Sequence, residues 1–297
     1  EPSLLSYTNQ GLNGANAWFS RSWRTTFLGS HWLYQYYPSE KYGQTHPEYY
    51  PMVDGKRFVP PAKTHGTWNP CVSNPDLPKI AVDMADEVFT KHPNLAGLPV
   101  GVNDGGGDCQ CPTCLEWREK YGNQYIPFYN EVARLLRAKH PDKRVCFIAY
   151  GRGASPVPKN IQLDPALFVE TISGFREDMS VLKQWKAAGA KNLGVYDYIY
   201  GVRYVVPRHF PHVMAEAWRR ANREFGVTSI WTESFIVSWL LDGPRQYVLN
   251  EVAWKLDADV DKLLDDYFTT LYGPAAGPMR RLFDRIEEIY RRKKDPL

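Results

Sequence analysis

The chain alternates short apolar runs with longer stretches in which apolar residues recur every three or four positions. Runs at 25–34, 98–103, 145–150, 168–173, 193–199 and 228–233 predict strands; several are almost uninterruptedly apolar, as strands covered on both faces must be. Between them, helical periodicity predicts helices at 76–91, 116–139, 177–188 and 207–224. The first follows an Asn74-Pro75-Asp76 start signal and carries Ile80, Met84, Val88 and Phe89; the second places Tyr125, Phe128, Val132, Leu135 and Leu136 on one face and stops at His140-Pro141. Gly226 stands where the last of these helices needs a cap. Beyond the final strand the pattern is purely helical, at 244–255, at 259–271 before Gly273-Pro274, and at 278–294.

Strand, helix and strand in repetition specify a parallel sheet with right-handed crossovers, and a TIM-like (β/α)8 barrel fits best. Only about six strands are visible where closure needs eight. The missing ones lie either within 34–68 or, the preferred reading, upstream of Glu1. Residues 1–241 then form a barrel catalytic domain incomplete at its start, and 242–297 a C-terminal helical segment packed on it. The chain opens without Met or a signal-peptide pattern, so it reads as a processed product or a piece of a longer chain.

Composition narrows the classes. The 297 residues carry 36 basic and 33 acidic side chains, a net charge of +3, and the apolar share of 43% excludes a disordered chain. Near-neutral charge argues against nucleic acid as the main partner; the one basic cluster, Arg291 to Lys294, reads as a solvated helix end. No apolar run approaches the length of a membrane span. The 10 Trp and 19 Tyr combine apolar faces with polar tips, which suits a core and equally suits sugar rings.

In a parallel α/β barrel the reactive groups sit at the C-terminal strand ends. Asp104 follows Val100-Gly101-Val102-Asn103, and Glu170, Asp197 and Glu233 sit in or end three other apolar runs. A carboxyl group there must be hydrogen-bonded, metal-bound or used in proton transfer, because bare burial is expensive. These four are the candidate catalytic acids; each has a structural alternative in a bond to a loop or an Arg. Asn103, His31, Trp32, Tyr150, Tyr196, Tyr198, Trp231 and Trp239 are the candidate substrate-binding residues. Asn103-Asp104-Gly105-Gly106-Gly107-Asp108 lacks the Gly-Lys-Ser/Thr ending of a phosphate loop, and its glycines suit a sharp turn near a ligand.

Paired carboxylates among Trp and Tyr suit glycoside hydrolysis, with the acids about 5 to 5.5 Å apart for retention and about 6.5 to 9.5 Å apart for inversion. Assistance by a substrate's own 2-acetamido group is a third option. A non-catalytic carbohydrate-binding barrel is the alternative reading. Metal-assisted hydrolysis ranks last, since the seven His show no His-x-His or His-x-x-x-His spacing. No cofactor is expected for catalysis.

Five cysteines occur. Cys146 reads as a small buried hydrophobe within a strand, whereas Cys109, Cys111 and Cys114 are packed within six residues. With Cys71 they could complete a structural four-cysteine zinc site, pair as disulfides in an exported protein, or remain free thiols. In each case the cluster follows Asp104 closely and would pin its loop.

His46-Pro47-Glu48-Tyr49-Tyr50, Asp54-Gly55-Lys56-Arg57, Cys71-Val72-Ser73-Asn74-Pro75 and Asn103-Asp104-Gly105-Gly106-Gly107 running into the cysteine trio resemble a bacterial domain-of-unknown-function family, number 4838. Tyr247-Val248-Leu249, Asp257-Ala258-Asp259-Val260-Asp261 and Tyr272-Gly273-Pro274-Ala275-Ala276 look like its C-terminal part, so the resemblance runs from about Trp18 to Tyr290. That family is similar to glycoside hydrolase family 163. The resemblance implies a secreted or periplasmic endo-β-N-acetylglucosaminidase-like barrel preceded by a further domain, with an oligosaccharide or polysaccharide as substrate. It implies no assignment of catalytic positions.

Overall fold

The computed structural model describes residues 5–9, 31–93, 95–172, 179–199, 208–233 and 239–293. Its strands are β1 (Leu5–Asn9), β2 (Met52–Val53), β3 (Lys56–Arg57), β4 (Gly97–Pro99), β5 (Arg144–Ala149), β6 (Leu167–Thr171), β7 (Asn192–Tyr198) and β8 (Val227–Glu233). Its α-helices are α1 (Leu33–Tyr36), α2 (Ser39–Tyr42), α3 (Leu77–Asp83), α4 (Ala85–Lys91), α5 (Pro112–Tyr121), α6 (Ile126–Lys139), α7 (Gly151–Ala154), α8 (Ser180–Ala187), α9 (Pro211–Phe225), α10 (Trp239–Trp254), α11 (Val260–Tyr272) and α12 (Ala276–Lys293). The chain divides into two compact units, one made of Thr25–Ile172 with Val181–Leu193 and the other of Glu1–Arg24, Ser173–Ser180 and Gly194–Leu297. We refer to them as the Asp104 unit and the Glu233 unit.

In the Asp104 unit β4, β5 and β6 run parallel, with Cys146 opposite Phe168 and Ile148 opposite Glu170. Strand alternation sorts the side chains into two faces. Phe147 stacks on Tyr129 of α6 at 4.2 Å and meets the edge of Trp185 of α8, so Val145 and Phe147 look toward the helices. Cys146, Ile148, Phe168 and Glu170 occupy the other face, where Cys146 and Phe168 pack together. The expectation of Cys146 as a buried small hydrophobe agrees with this placement.

In the Glu233 unit β1 lies beside β8 and β7 on its other side. The β1–β8 pair is parallel, Tyr7 opposite Trp231 and Asn9 opposite Glu233. Ile199 and Ile230 pack into a core with Phe210, Met214 and Trp218 from in and around α9, Val248, Leu249 and Val252 of α10, Leu264 and Phe268 of α11 and Phe283 of α12. The N-terminus of α9 is held by Glu287 of α12, whose Oε1 accepts the amides of His212 and Val213 at 3.0 and 3.2 Å. A carboxylate at a helix N-terminus meets the positive end of the peptide dipoles.

Five of the predicted strands coincide with β4 to β8 within a few residues. The sixth does not. Residues 25–30 lie outside the described residues, and 33–36 form a helix, α1, whose start is tied by the amides of Trp32 and Leu33 to the Gly101 carbonyl. Two predicted helices are each divided. The 76–91 helix breaks at Met84, and 116–139 breaks at Gly122, with φ +72°, followed by Asn123, whose amide caps back onto Ala154 and Pro156. The first of the three C-terminal helices starts five residues before Pro244, at Trp239. The stretch 34–68 contributes short helices and the β2–β3 hairpin.

The described residues therefore show a mixed α/β fold with parallel strands and interleaved helices, six strands outside the hairpin, and not the eight of the expected closed barrel. Strand β1 escaped the periodicity because Leu5-Ser6-Tyr7-Thr8-Asn9 is short and partly polar. Arg291 and Arg292 are exposed on α12 and pair with Glu287 and Glu288; Lys294 lies outside the described residues. Among the described residues no helix is long and apolar enough to cross a membrane.

Candidate functional site

In the Asp104 unit, the chain leaves β4 through buried Val100 to Asn103 and emerges at Asp104. Asn103 is the anchor. Its Oδ1 accepts the Tyr34 amide at 2.7 Å, its Nδ2 donates to the Trp68 carbonyl at 2.9 Å, and its own amide donates to Asn69 Oδ1 at 2.8 Å. Buried with both amide atoms engaged, Asn103 faces protein rather than the substrate contact expected of it, and its effect is to set the next residue. The segments 66–69 and 104–107 lie side by side. The Thr67 amide donates to the Asp104 carbonyl, the Asn69 amide to Gly107, and Asn69 Nδ2 to Gly106. Gly105, Gly106 and Gly107 have φ of +82°, +86° and +78°, and a Cβ on Gly107 would sit 2.4 Å from the Thr67 carbonyl oxygen. Only glycine combines that backbone with that approach.

The Asp104 carboxylate is left at the surface, its side chain 65% exposed. Its Oδ1 accepts the Tyr150 hydroxyl and the Gly105 amide, both at 2.8 Å. Tyr150 directly follows β5, so the two groups come from the C-terminal ends of neighbouring strands. His31 Nδ1 lies 2.6 Å from the Val102 carbonyl, which directs Nε2 to within 4.0 Å of Asp104 Oδ1, and its ring meets Tyr150 edge-on. Tyr34 stacks on His65 at 4.5 Å. Sequence reasoning missed both; the only local signal was a glycine beside an aromatic in His65-Gly66-Thr67-Trp68. Trp32 is half-buried at the start of α1. Asp108, next to the glycines, is structural: it accepts the Tyr125 hydroxyl at 2.5 Å and faces Arg118.

Glu170 is of another kind. It is buried on the face of β6 away from the helices, and Oε1 has no hydrogen-bond partner among the described residues. Burial pushes its carboxyl up to about 8, so at neutral pH it is mostly a neutral acid.

The four cysteines converge. The Sγ atoms of Cys71, Cys109, Cys111 and Cys114 lie within 4.8 Å of one another and all four residues are buried; none is disulfide-bonded. Hydrogen bonding from the neighbouring Cys109 and Cys114 thiols holds Cys71 well below the ordinary thiol range, against the opposing effect of burial.

In the Glu233 unit the acid ends β8 and is half-buried, its Oε1 accepting the Tyr196 hydroxyl at 2.6 Å. Tyr196 stacks on Trp231 with ring centroids 6.0 Å apart and planes 12° apart, and meets Tyr198 edge-on at 5.4 Å. Tyr196, Tyr198, Trp231 and Glu233 thus share one face. Alternation puts Asp197 on the other face of β7, the side of Ile199 and the helices, where it is buried. Trp239 is 46% exposed at the start of α10, and 234–238 lie outside the described residues. Nothing in the pattern along α10 forewarned of a buried polar row. Arg245, fully buried, donates to the Arg208 carbonyl at 2.6 Å and faces Asp242 at 3.5 Å, and burial lowers its guanidinium to about 10.

Each unit therefore offers a strand-end carboxylate oriented by a tyrosine hydroxyl beside further aromatic rings. Such a group can hold or pass a proton or orient a polar ligand atom.

Among solved structures, the chain is similar to a GH138 enzyme targeting pectin rhamnogalacturonan II, at 14% identity and a TM-score of 0.43 over 72% of this chain and 28% of that one. It is similar to the GH20 β-N-acetylhexosaminidase from Streptomyces coelicolor A3(2), at 15% identity and a TM-score of 0.44 over 76% of this chain and 47% of that one. It is also similar to CpGH84B, at 9% identity and a TM-score of 0.40 over 68% and 36%. The chain spans less than half the length of each. No curated protein matches it. The family model described as Domain of unknown function (DUF4838) matches residues 6–284, and the chain belongs to that family.

Proposed function

We propose that this protein is a glycoside hydrolase that cleaves N-acetylhexosamine-containing or related glycans by carboxylate acid/base catalysis, retaining or substrate-assisted, in the manner of an endo-β-N-acetylglucosaminidase. One observation carries the reading: a tyrosine hydroxyl orients a strand-end carboxylate twice, Tyr150 on Asp104 at 2.8 Å and Tyr196 on Glu233 at 2.6 Å. A carboxylate held in one orientation at a strand end suits the base or nucleophile part of glycoside hydrolysis, and the acid part once it carries a proton. Asp104 or Glu233 is the acid/base. It protonates the leaving oxygen as the C1–O bond breaks, and then takes a proton from the water that attacks C1. Another of the acids, Asp197 excepted because it lies on the helix side of β7, attacks C1 as that bond breaks and is released when water attacks, or orients the substrate's acetamido group, which attacks C1 in its place. Glu170, neutral near pH 7, suits a proton-holding role, and Trp231, Tyr196, Tyr198 and Tyr150 suit sugar stacking and hydroxyl contacts.

The test is product release from N-glycans and N-acetylhexosaminides by the chain and by its Asp104→Asn and Glu233→Gln variants. Loss of turnover by about two to four orders of magnitude in a folded variant supports the reading, the size expected for acid/base groups. Saturable glycan binding without product on long incubation overturns it in favour of a carbohydrate-binding barrel. The anomer first released, followed by NMR, separates retention from inversion.

A further inference from the structure

The cysteine cluster is not needed by the proposed chemistry, yet it sits at the foot of the loop that presents Asp104. Four observations converge on it. First, its geometry is that of one centre rather than of two pairs: four buried Sγ atoms lie mutually within 4.8 Å, and Cys71 and Cys111 are 3.6 Å apart. Zinc bonded to four sulfurs at about 2.3 Å separates them by about 3.8 Å, whereas a disulfide requires about 2.05 Å between two. Second, donors point at sulfur. The Met52 and Cys111 amides approach Cys109 Sγ at 3.3 and 3.5 Å, the Ser73 hydroxyl lies 3.5 and 3.3 Å from the sulfurs of Cys71 and Cys111 while accepting the Cys114 thiol at 3.3 Å, and Arg57 lies beside Cys71. Such a shell suits metal-bound thiolates. Third, Cys111 precedes the first turn of α5 and Cys114 lies within it, at the positive end of a ten-residue helix that offsets thiolate charge. Fourth, Cys71 follows the segment 66–69 by two residues and Cys109 follows 104–107 by two, so whatever joins these sulfurs fastens both segments at one end.

We propose that Cys71, Cys109, Cys111 and Cys114 bind one zinc ion in a closed tetrahedral site that clips segment 66–69 to segment 104–107 and so fixes the position of Asp104. With four protein ligands the site has no open position, and its role is structural. Binding displaces the remaining thiol protons to solvent and changes no oxidation state.

The primary test needs neither a variant nor an activity. The chain is purified without chelator, its zinc and iron are measured by mass spectrometry, and its intact mass is taken denatured with and without thiol alkylation. One zinc per chain with every cysteine alkylatable after denaturation supports the site. A mass showing disulfides, free thiols with no metal, or iron in place of zinc overturns it. The clip is tested by hydrogen exchange before and after zinc extraction, and in Cys109→Ser. Amides at 66–69 and 104–107 should exchange at least about tenfold faster without zinc while β5 and β6 stay protected; unchanged exchange in these segments overturns the clip. These readouts do not depend on whether glycans are cleaved, so the two proposals fail separately.

Discussion

Asp104 and Glu233 are both tyrosine-held carboxylates at strand ends, yet they are positioned by different means. Asp104 stands on a loop. Three left-handed glycines, a paired neighbouring segment and the buried amide of Asn103 place it, and it remains largely in water. Glu233 stands on the last residue of a regular strand, half-buried, its tyrosine braced flat against Trp231. Backbone constraint positions the first and side-chain packing the second. A loop carboxylate should therefore be sensitive to small backbone changes, and a strand-end carboxylate to the loss of ring volume.

The comparison breaks most sharply in catalysis. Asp104→Asn and Glu233→Gln should each lower kcat/KM by about two to four orders of magnitude with little change in Tm, measured on one glycan substrate. An effect at only one of them assigns the chemistry to one unit. Gly107→Ala should destabilise by about 2 to 4 kcal/mol in urea unfolding, because its Cβ meets the Thr67 carbonyl and its φ is unfavourable to alanine. Stability within about 0.5 kcal/mol of the parent chain would show that the loop yields.

Glu170, in the Asp104 unit, carries a pH dependence of stability. Its folded pKa of about 8 exceeds the unfolded value of about 4.3, so the folded state holds an extra proton between them. Stability should fall as pH rises through that window, by at most about 1.4 kcal/mol per pH unit. Glu170→Gln should flatten the fall in urea titrations at about pH 5, 7 and 9, which bracket the window; an unchanged profile would remove Glu170 as its source. The smallest effects come from the tyrosines. Tyr196→Phe should cost about 1 kcal/mol of stability, and Tyr150→Phe less, because an exposed carboxylate readily exchanges a hydroxyl donor for water. Equal costs by thermal unfolding would erase the distinction between the two carboxylates.

Much of the fold was legible. The apolar runs behind β4 to β8 are local and dense, and caps such as Gly226 and Asp259, whose side chain accepts the Lys262 amide, act within a few residues. Helices were misjudged where a distant partner decides the boundary. Asn123 ends one because it can reach Ala154 and Pro156, and residues 33–36 coil because Gly101 receives their first amides. Within the candidate site, the strand-end places of the four acids were legible because each sits in, ends or follows an apolar run, but nothing local distinguishes Asn103, locked inward, from Asp104, turned outward.

What the sequence determined by itself is what short-range chemistry can specify: the alternation of strand and helix, the glycine turn after Asp104, and the spacing of the cysteine trio. Tertiary structure decided the rest. It brought Cys71 to the trio, supplied Asp104 with a tyrosine from 46 residues away and Glu233 with one from 37, and left Glu170 buried. Sequence periodicity reports which face of an element is apolar; only the packed fold brings distant polar groups within the roughly 3 Å at which hydrogen bonding begins.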